Sequence, residues 1–313
     1  MTMRQTVEIF ELLDSPAASG AAVCDLLRER GPVEATFQRV EGARGHTDFV
    51  TIRIPGTAGK SAGGSARTLG IIGRLGGIGA RPEMIGMVSD ADGAIAALAA
   101  ALKLTEMAAR GDRLPGDVVI TTHICPNAPT RPHHPVPFMG SPVDSAVAND
   151  HEVTPDMDAA LSIDTTRGNR ILNARGIAIT PTVKEGYILR VSDGLLDVLG
   201  WVTGRLPLVL PITTQDITPY GNGLYHINSI MQPCVTTAIP VVGVALTAEV
   251  PVPGCATGAS QPADIEVAAR FAVEVAKQFG AGVVDFHDAA EWERIQSLYG
   301  SMKHLQRGAL PDA

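Results

Sequence analysis

Between Ser89 and Asn127 the chain sets two carboxylates, an imidazole, a thiol and an amide around one helix–strand unit. Asp90 and Asp92 stand at the mouth of the helix, and His123, Cys125 and Asn127 at the end of the strand that follows. Carboxylates one residue apart can grip a divalent cation or cap a helix N-terminus. An imidazole can ligate a metal or carry a proton, and a thiol can attack as a thiolate. In open α/β sheets such groups gather at the carboxyl ends of strands, where loops project several side chains into one crevice.

Further along, Asp164 closes the segment ALSID and joins this set. The candidate metal ligands are therefore Asp90, Asp92, His123 and Asp164, for a divalent ion such as Zn or Mn. His123, Cys125 and His226 are the candidate catalytic groups. The run ITTQDITPYGNGLYHINSI packs Asp216, Tyr220, Asn222, His226 and Asn228 around Gly221 and Gly223, the density of hydrogen-bonding groups expected of a substrate-binding loop. Asn127 and Cys255, the latter in the turn VPGCATGAS, complete the candidate substrate contacts. His133 and His134, in the proline-rich stretch HICPNAPTRPHHPVPF, read as surface residues. RLGGIGARP lacks the glycine spacing of a dinucleotide-binding loop, so no nucleotide cofactor is expected.

Bulk composition narrows the partners. The 313 residues carry a formal charge of −8, which gives no electrostatic footprint for nucleic acid or an anionic membrane. A small-molecule or peptide-like substrate fits better. Four cysteines without a CxxC pair argue against both a disulfide framework and a zinc knuckle. The N-terminus lacks the order of a signal peptide, and a cytoplasmic, homo-oligomeric protein is expected.

The elements that must position these residues alternate. A helix from Thr6 to Arg30, broken at Asp14 to Gly20, precedes a hairpin of Glu34–Val40 and Asp48–Ile54. Strands are expected at Thr68–Gly73, Ile85–Ser89, Asp117–Thr122, Ala160–Asp164, Ala178–Val183, Gly186–Val191, Pro207–Ile212 and Ile239–Thr247. Helices are expected at Gly93–Ala109, Asp193–Gly204 and Asp264–Phe279, and a mobile loop at Pro55–Arg67. This order predicts a single α/β domain over residues 1–313: a three-layer sandwich whose mixed, mostly parallel sheet has helices on both faces.

The segments TLGIIGRLGGIGARPEMIGMVSDADGA, GDVVITTHICPNAPT, SIDTTRGN and TTQDITPYGNGLYHINSIMQP strongly resemble the bacterial family catalogued as domain of unknown function 1177, from about the first helix to Phe279. A more distant likeness is to the catalytic domain of co-catalytic zinc aminopeptidases of the glutamyl and deblocking type. That resemblance implies a phosphorylase/hydrolase-like fold, with a metal-bridging Asp at Asp90 or Asp92 and a metal-binding carboxylate at Asp164. The likeness is degenerate, because the aminopeptidases' His-x-Asp-Glu stretch falls on Arg74 to Gly77, their Glu-Glu pair near His123 and Ile124, and their late His near Cys255. The expected activity is hydrolysis of an amide or peptide-like small molecule. The alternatives are a metal-independent, cysteine-based racemase or hydrolase and a non-catalytic binder.

Overall fold

Alternation of buried strands with Ala-rich and amphipathic helices runs through most of the chain, and the computed structural model describes residues 1–134, 136–166, 171–212, 227–250 and 257–306. Helices α1 (Met3–Leu13) and α2 (Gly20–Arg30) lead into the hairpin β1 (Glu34–Gly42) and β2 (Gly45–Ile54). Next come β3 (Leu69–Gly73), α3 (Asp92–Ala109), β4 (Val118–Ile124), a small ribbon of β5 (Thr130–Arg131) and β6 (Phe138–Met139), and α4 (Ser145–Glu152). The chain continues through β7 (Ala159–Thr166), β8 (Gly176–Ile179), β9 (Val183–Lys184), β10 (Tyr187–Ile188) and α5 (Asp193–Thr203). It closes with β11 (Val241–Thr247), α6 (Pro262–Gly280) and α7 (Ala289–Tyr299).

One sheet of nine strands organises the molecule in the order β1-β2-β4-β3-β7-β11-β9-β10, with β8 also paired to β11. The centre, β4-β3-β7-β11, is parallel, and β2 of the hairpin on one side and β8 and β9 on the other run antiparallel to it. The sheet is thus mixed, with a parallel core, as expected. Its central strands are buried along their whole length, which is why LGIIG, VVITTHI and VVGVALT read as near-continuous apolar runs.

Side-chain alternation assigns the two faces. Leu69, Ile71, Ile120, Leu161, Val244 and Ile177 point to a core shared with α1, α2, α3, α5 and α6. Ile72, Ala160, Ala178 and Ala245 point the other way, against Ile230, Met231 and Cys234 of a 3-10 helix spanning Ser229–Val235. α4 lies on that second side as well, through Asn149 and Glu152. Helix α3 packs closely against the sheet with α1, α2 and α6 around it, and six of its fourteen buried positions are alanine, the best helix former and small enough for close approach.

Several expected elements differ. Ile85–Ser89 is not a strand; Ser89–Ala91 is a 3-10 turn that feeds α3. Pro207–Ile212 contributes only an isolated bridge from Val209 to Ile179. The expected strand Ala178–Val183 divides into β8 and β9 around Pro181, which has no N–H to give a ladder. Pro55–Arg67 is organised by one side chain: the Asp117 carboxylate accepts from the N–H of Gly56 (2.7 Å) and from the N–H and hydroxyl of Ser61 (2.9 and 2.6 Å). Helix α7 buries no residue and so lacks the apolar stripe by which a helix is recognised in sequence.

Candidate functional site at the carboxyl edge of the sheet

Register places the candidate residues. β3 pairs Ile72 with Thr121 of β4 and Gly73 with Ile163 of β7, and the N–H of Arg74 continues the ladder to the carbonyl of Ile163 at 2.7 Å. One step beyond β3, His123, Arg74 and Asp164 therefore form a row across three strands, all on the face that carries α4 and the Ser229–Val235 helix. His123 and Asp164 are two strand spacings apart, about 10 Å. Arg74 stands between them.

Arg74 has no exposed surface, and its guanidinium is bound by Glu152, by Asn149 Oδ1 at 3.1 Å and by Gln232. Glu152 is equally buried, and burial pushes its carboxyl up while the guanidinium opposes that shift. Thr121 Oγ1 donates to the Glu152 carbonyl at 2.7 Å, tying α4 to β4. A fixed cation thus occupies the middle of the row.

His123 is locked. Its Nε2 accepts from the N–H of Gly76 at 3.0 Å, so the proton resides on Nδ1, which donates to Thr47 Oγ1 at 2.8 Å; that hydroxyl in turn donates to the Ile124 carbonyl at 3.3 Å. Burial, with a smaller contribution from the Arg74 charge, pushes the imidazole down to about 3. It is neutral throughout the physiological range. Using either nitrogen for a metal or a substrate would strip a buried group of its partner, at a cost of about 1–3 kcal/mol. Both ring nitrogens of His123, expected as a catalytic group or metal ligand, are thus engaged within the protein.

Cys125 is 1% exposed, within a small apolar cluster of Ala80, Val88, Ala128 and Met139. Its Sγ donates to the His46 carbonyl at 3.5 Å, and burial pushes its thiol up to about 11. It is a protonated core residue at neutral pH, not a thiolate nucleophile. Asn127 is exposed, with an isolated backbone bridge to Ala80. Asn228 is buried, and its Nδ2 donates to the Pro211 carbonyl at 3.4 Å. Asp216, Tyr220, Asn222, His226 and Cys255 lie outside the described residues.

The three aspartates reach one edge of the sheet from two sides. Asp164 extends from β7 on the face of Arg74, with Oδ1 accepting from the N–H of Thr165 at 2.7 Å. Asp90 and Asp92 enter from the α3 side, where Thr165 Oγ1 donates to the Ser89 carbonyl at 2.9 Å and so fixes the turn against the end of β7. Asp92 is fully buried, and Ser260 Oγ donates to its Oδ1 at 2.6 Å. Close packing here depends on glycine. A Cβ on Gly93 would lie 1.9 Å from the Arg74 carbonyl oxygen, and one on Gly76 would lie 1.4 Å from that of His123.

These donors do not assemble a divalent-metal site. Among the described residues no group of three or more His, Cys, Asp or Glu side chains is placed to hold a metal ion. The reason is physical: Asp92 and Asp164 lie toward opposite faces, His123 has both nitrogens engaged, and Arg74 puts a positive charge between His123 and Asp164.

Comparison with known families decides the chain's affiliation. The family described as "Protein of unknown function (DUF1177)" matches residues 38–309. The chain belongs to the DUF1177 family. The match begins within β1 rather than in the first helix and runs past Phe279. No curated protein matches the chain. Among solved structures, the cytosol aminopeptidase from Coxiella burnetii is similar at 15% identity with a TM-score of 0.48, covering 86% of this chain and 67% of that one. A mutant of tomato leucine aminopeptidase is similar at 12% identity with a TM-score of 0.49, covering 87% of this chain and 60% of that one. In this DUF1177 chain, no described helix is long and apolar enough to cross a membrane.

Sequence reasoning missed Asn149, Glu152 and Gln232 as partners of Arg74, and Ser260 as the partner of Asp92. The NDHE and MQP segments carry no spacing that announces a buried network. Only the three-dimensional register brings these residues to the end of β3.

Proposed function

We propose that this chain hydrolyses an amide or peptide-like small molecule at the carboxyl edge of β3, β7 and β11. What supports the reading is the position of Asp164 near the end of β7 and of Asp90 and Asp92 at the turn that Thr165 binds, at the kind of edge where open α/β sheets bind their ligands. A carboxylate within reach of a bound water takes its proton as it attacks the amide carbon. The same proton then passes to the departing amine, so one acid–base residue closes the cycle. Asp90 and Asp164 are assigned that duty; Asp92, bound by Ser260, positions the start of α3. A single Zn or Mn ion was the expected cofactor; among the described residues no group of three or more His, Cys, Asp or Glu side chains fits one.

Cys125 supports the cysteine-based alternative poorly, since its thiol is buried and protonated. Cys24, Cys125 and Cys234 are all free and buried, which suits a reducing cytoplasm. The test is turnover of a panel of N-acyl amino acids, dipeptides and lactams by the purified protein. Asp90→Asn or Asp164→Asn should lower turnover by at least 100-fold, within the usual span of general-base effects, while Cys125→Ala should retain it. Unchanged rates in both Asn variants, or no turnover of any panel member, would overturn the reading.

A further inference from the structure

Beyond the carboxyl end of β11 a cleft of about 880 Å3 opens between α5 and α6. Its floor is apolar, formed by Ile177, Leu199, Leu208 and Val267. Its walls carry three guanidinium groups, from Arg175, Arg205 and Arg270, against the carboxylates of Glu249 and Asp264. Counting Glu266, which pairs with Arg270, three positive charges face three negative ones.

The three arginines are not equivalent. Arg175 holds Asp264 at 3.3 Å, and Arg270 holds Glu266 one helical turn away at 3.4 Å. Arg205 is exposed and has no ion-pair partner among the described residues. An arginine offers a planar fork that matches a carboxylate, and an apolar floor beside it accepts a hydrocarbon body. We infer that this cleft binds the carboxylate end of a small molecule with an apolar body, Arg205 pairing with the carboxylate.

Register links the cleft to the aspartates. Thr165, Leu246 and Ile177 are consecutive partners across β7, β11 and β8, with Leu246 and Ile177 packed into the helix-side core. Thr165 binds the turn that carries Asp90, and Ile177 lines the cleft. Two strand spacings, about 10 Å, separate them. The cleft and the turn that carries Asp90 therefore lie near one another at the same end of the sheet. Resting on the hydrolase reading above, the inference names the substrate class: an N-acyl amino acid or short peptide with a free carboxylate and an apolar terminal side chain.

Calorimetric titration with N-acetyl-L-leucine and with its carboxamide tests it. The acid should bind about two- to five-fold more tightly than the amide, the scale of one ion pair at an exposed arginine. Arg205→Gln should remove that preference and leave amide binding unchanged. Equal affinity for acid and amide, no binding of either, or an unaltered preference in Arg205→Gln would overturn the inference. The two readings fail separately. Acid-selective binding that depends on Arg205, without turnover of any panel member, keeps the cleft and removes the hydrolase. Turnover that depends on Asp90 or Asp164 with no preference for the free carboxylate keeps the hydrolase and removes the cleft.

Discussion

Arg74 and Glu152 meet as an ion pair in which each side chain is 1% exposed. Removing one partner strands the other charge without solvent, whereas removing both leaves no buried charge, only the amides of Asn149 and Gln232 without their partner. Arg74→Met or Glu152→Leu alone should therefore cost about 3–5 kcal/mol in urea unfolding, and the double variant markedly less than their sum. A single-variant loss below about 1 kcal/mol would show that the pair is not isolated from water as described.

His123 makes stability depend on pH in a definite direction. Its folded imidazole is pushed down to about 3, whereas an unfolded one titrates near 6.5. Below about pH 6.5 the unfolded chain therefore binds a proton that the folded chain refuses, and stability falls as pH drops toward 3; above 6.5 the residue adds no pH dependence. The loss between pH 7 and pH 5 should be about 2 kcal/mol. In His123→Gln, whose side-chain oxygen can still accept from Gly76, that part of the slope should vanish. His287, also lowered mainly by burial, contributes in the same direction and remains in the variant. Identical pH profiles for the two proteins would contradict the assignment.

The parallel core was legible because its strands are continuous apolar runs, and α3 and α6 because their periodicity and helix-stop signals agree. At the candidate site, strand-end positions were legible and the surroundings of the side chains were not. His123 and Asp164 do sit at strand ends on one edge, but sequence spacing cannot reveal that the side chain lying between them in the sheet is a guanidinium committed to Glu152 and Gln232. Nor can it reveal that Gly76 donates its N–H to His123. Such facts depend on strand order, since β3 and β4 are neighbours in space while α3 separates them in the chain.

Burial also sets cysteine reactivity. The thiols of Cys24 and Cys125 are pushed up to about 11 and that of Cys234 to about 12, so each is protonated and enclosed at neutral pH. Peptide mapping after iodoacetamide at pH 7.5 should find all three unmodified in the native protein and modified after denaturation. Rapid native labelling of Cys125 would revive it as a nucleophile.

Glycine substitution probes the same edge by sterics alone. A Cβ on Gly76 would fall 1.4 Å from the His123 carbonyl oxygen, and one on Gly93 would fall 1.9 Å from that of Arg74 and 2.3 Å from that of Ile163. These oxygens belong to backbone in the sheet or just beyond it, so they cannot swing aside as the tip of a long side chain would. Relief requires the row of His123, Arg74 and Asp164 to open, with loss of the Gly76–His123 bond and of the packing of α3 against β3 and β7. Gly76→Ala and Gly93→Ala should each destabilise by more than about 3 kcal/mol, in the range of the most damaging single substitutions. Gly63→Ala is the control: nothing lies within 4 Å of its Cβ, and its φ of +75° carries only the left-handed penalty of about 1–2 kcal/mol. Thermal and urea unfolding of the three variants measure the difference. If Gly76→Ala unfolds no more readily than Gly63→Ala, the close contact between the Arg74 loop and β4 is not present in the folded protein.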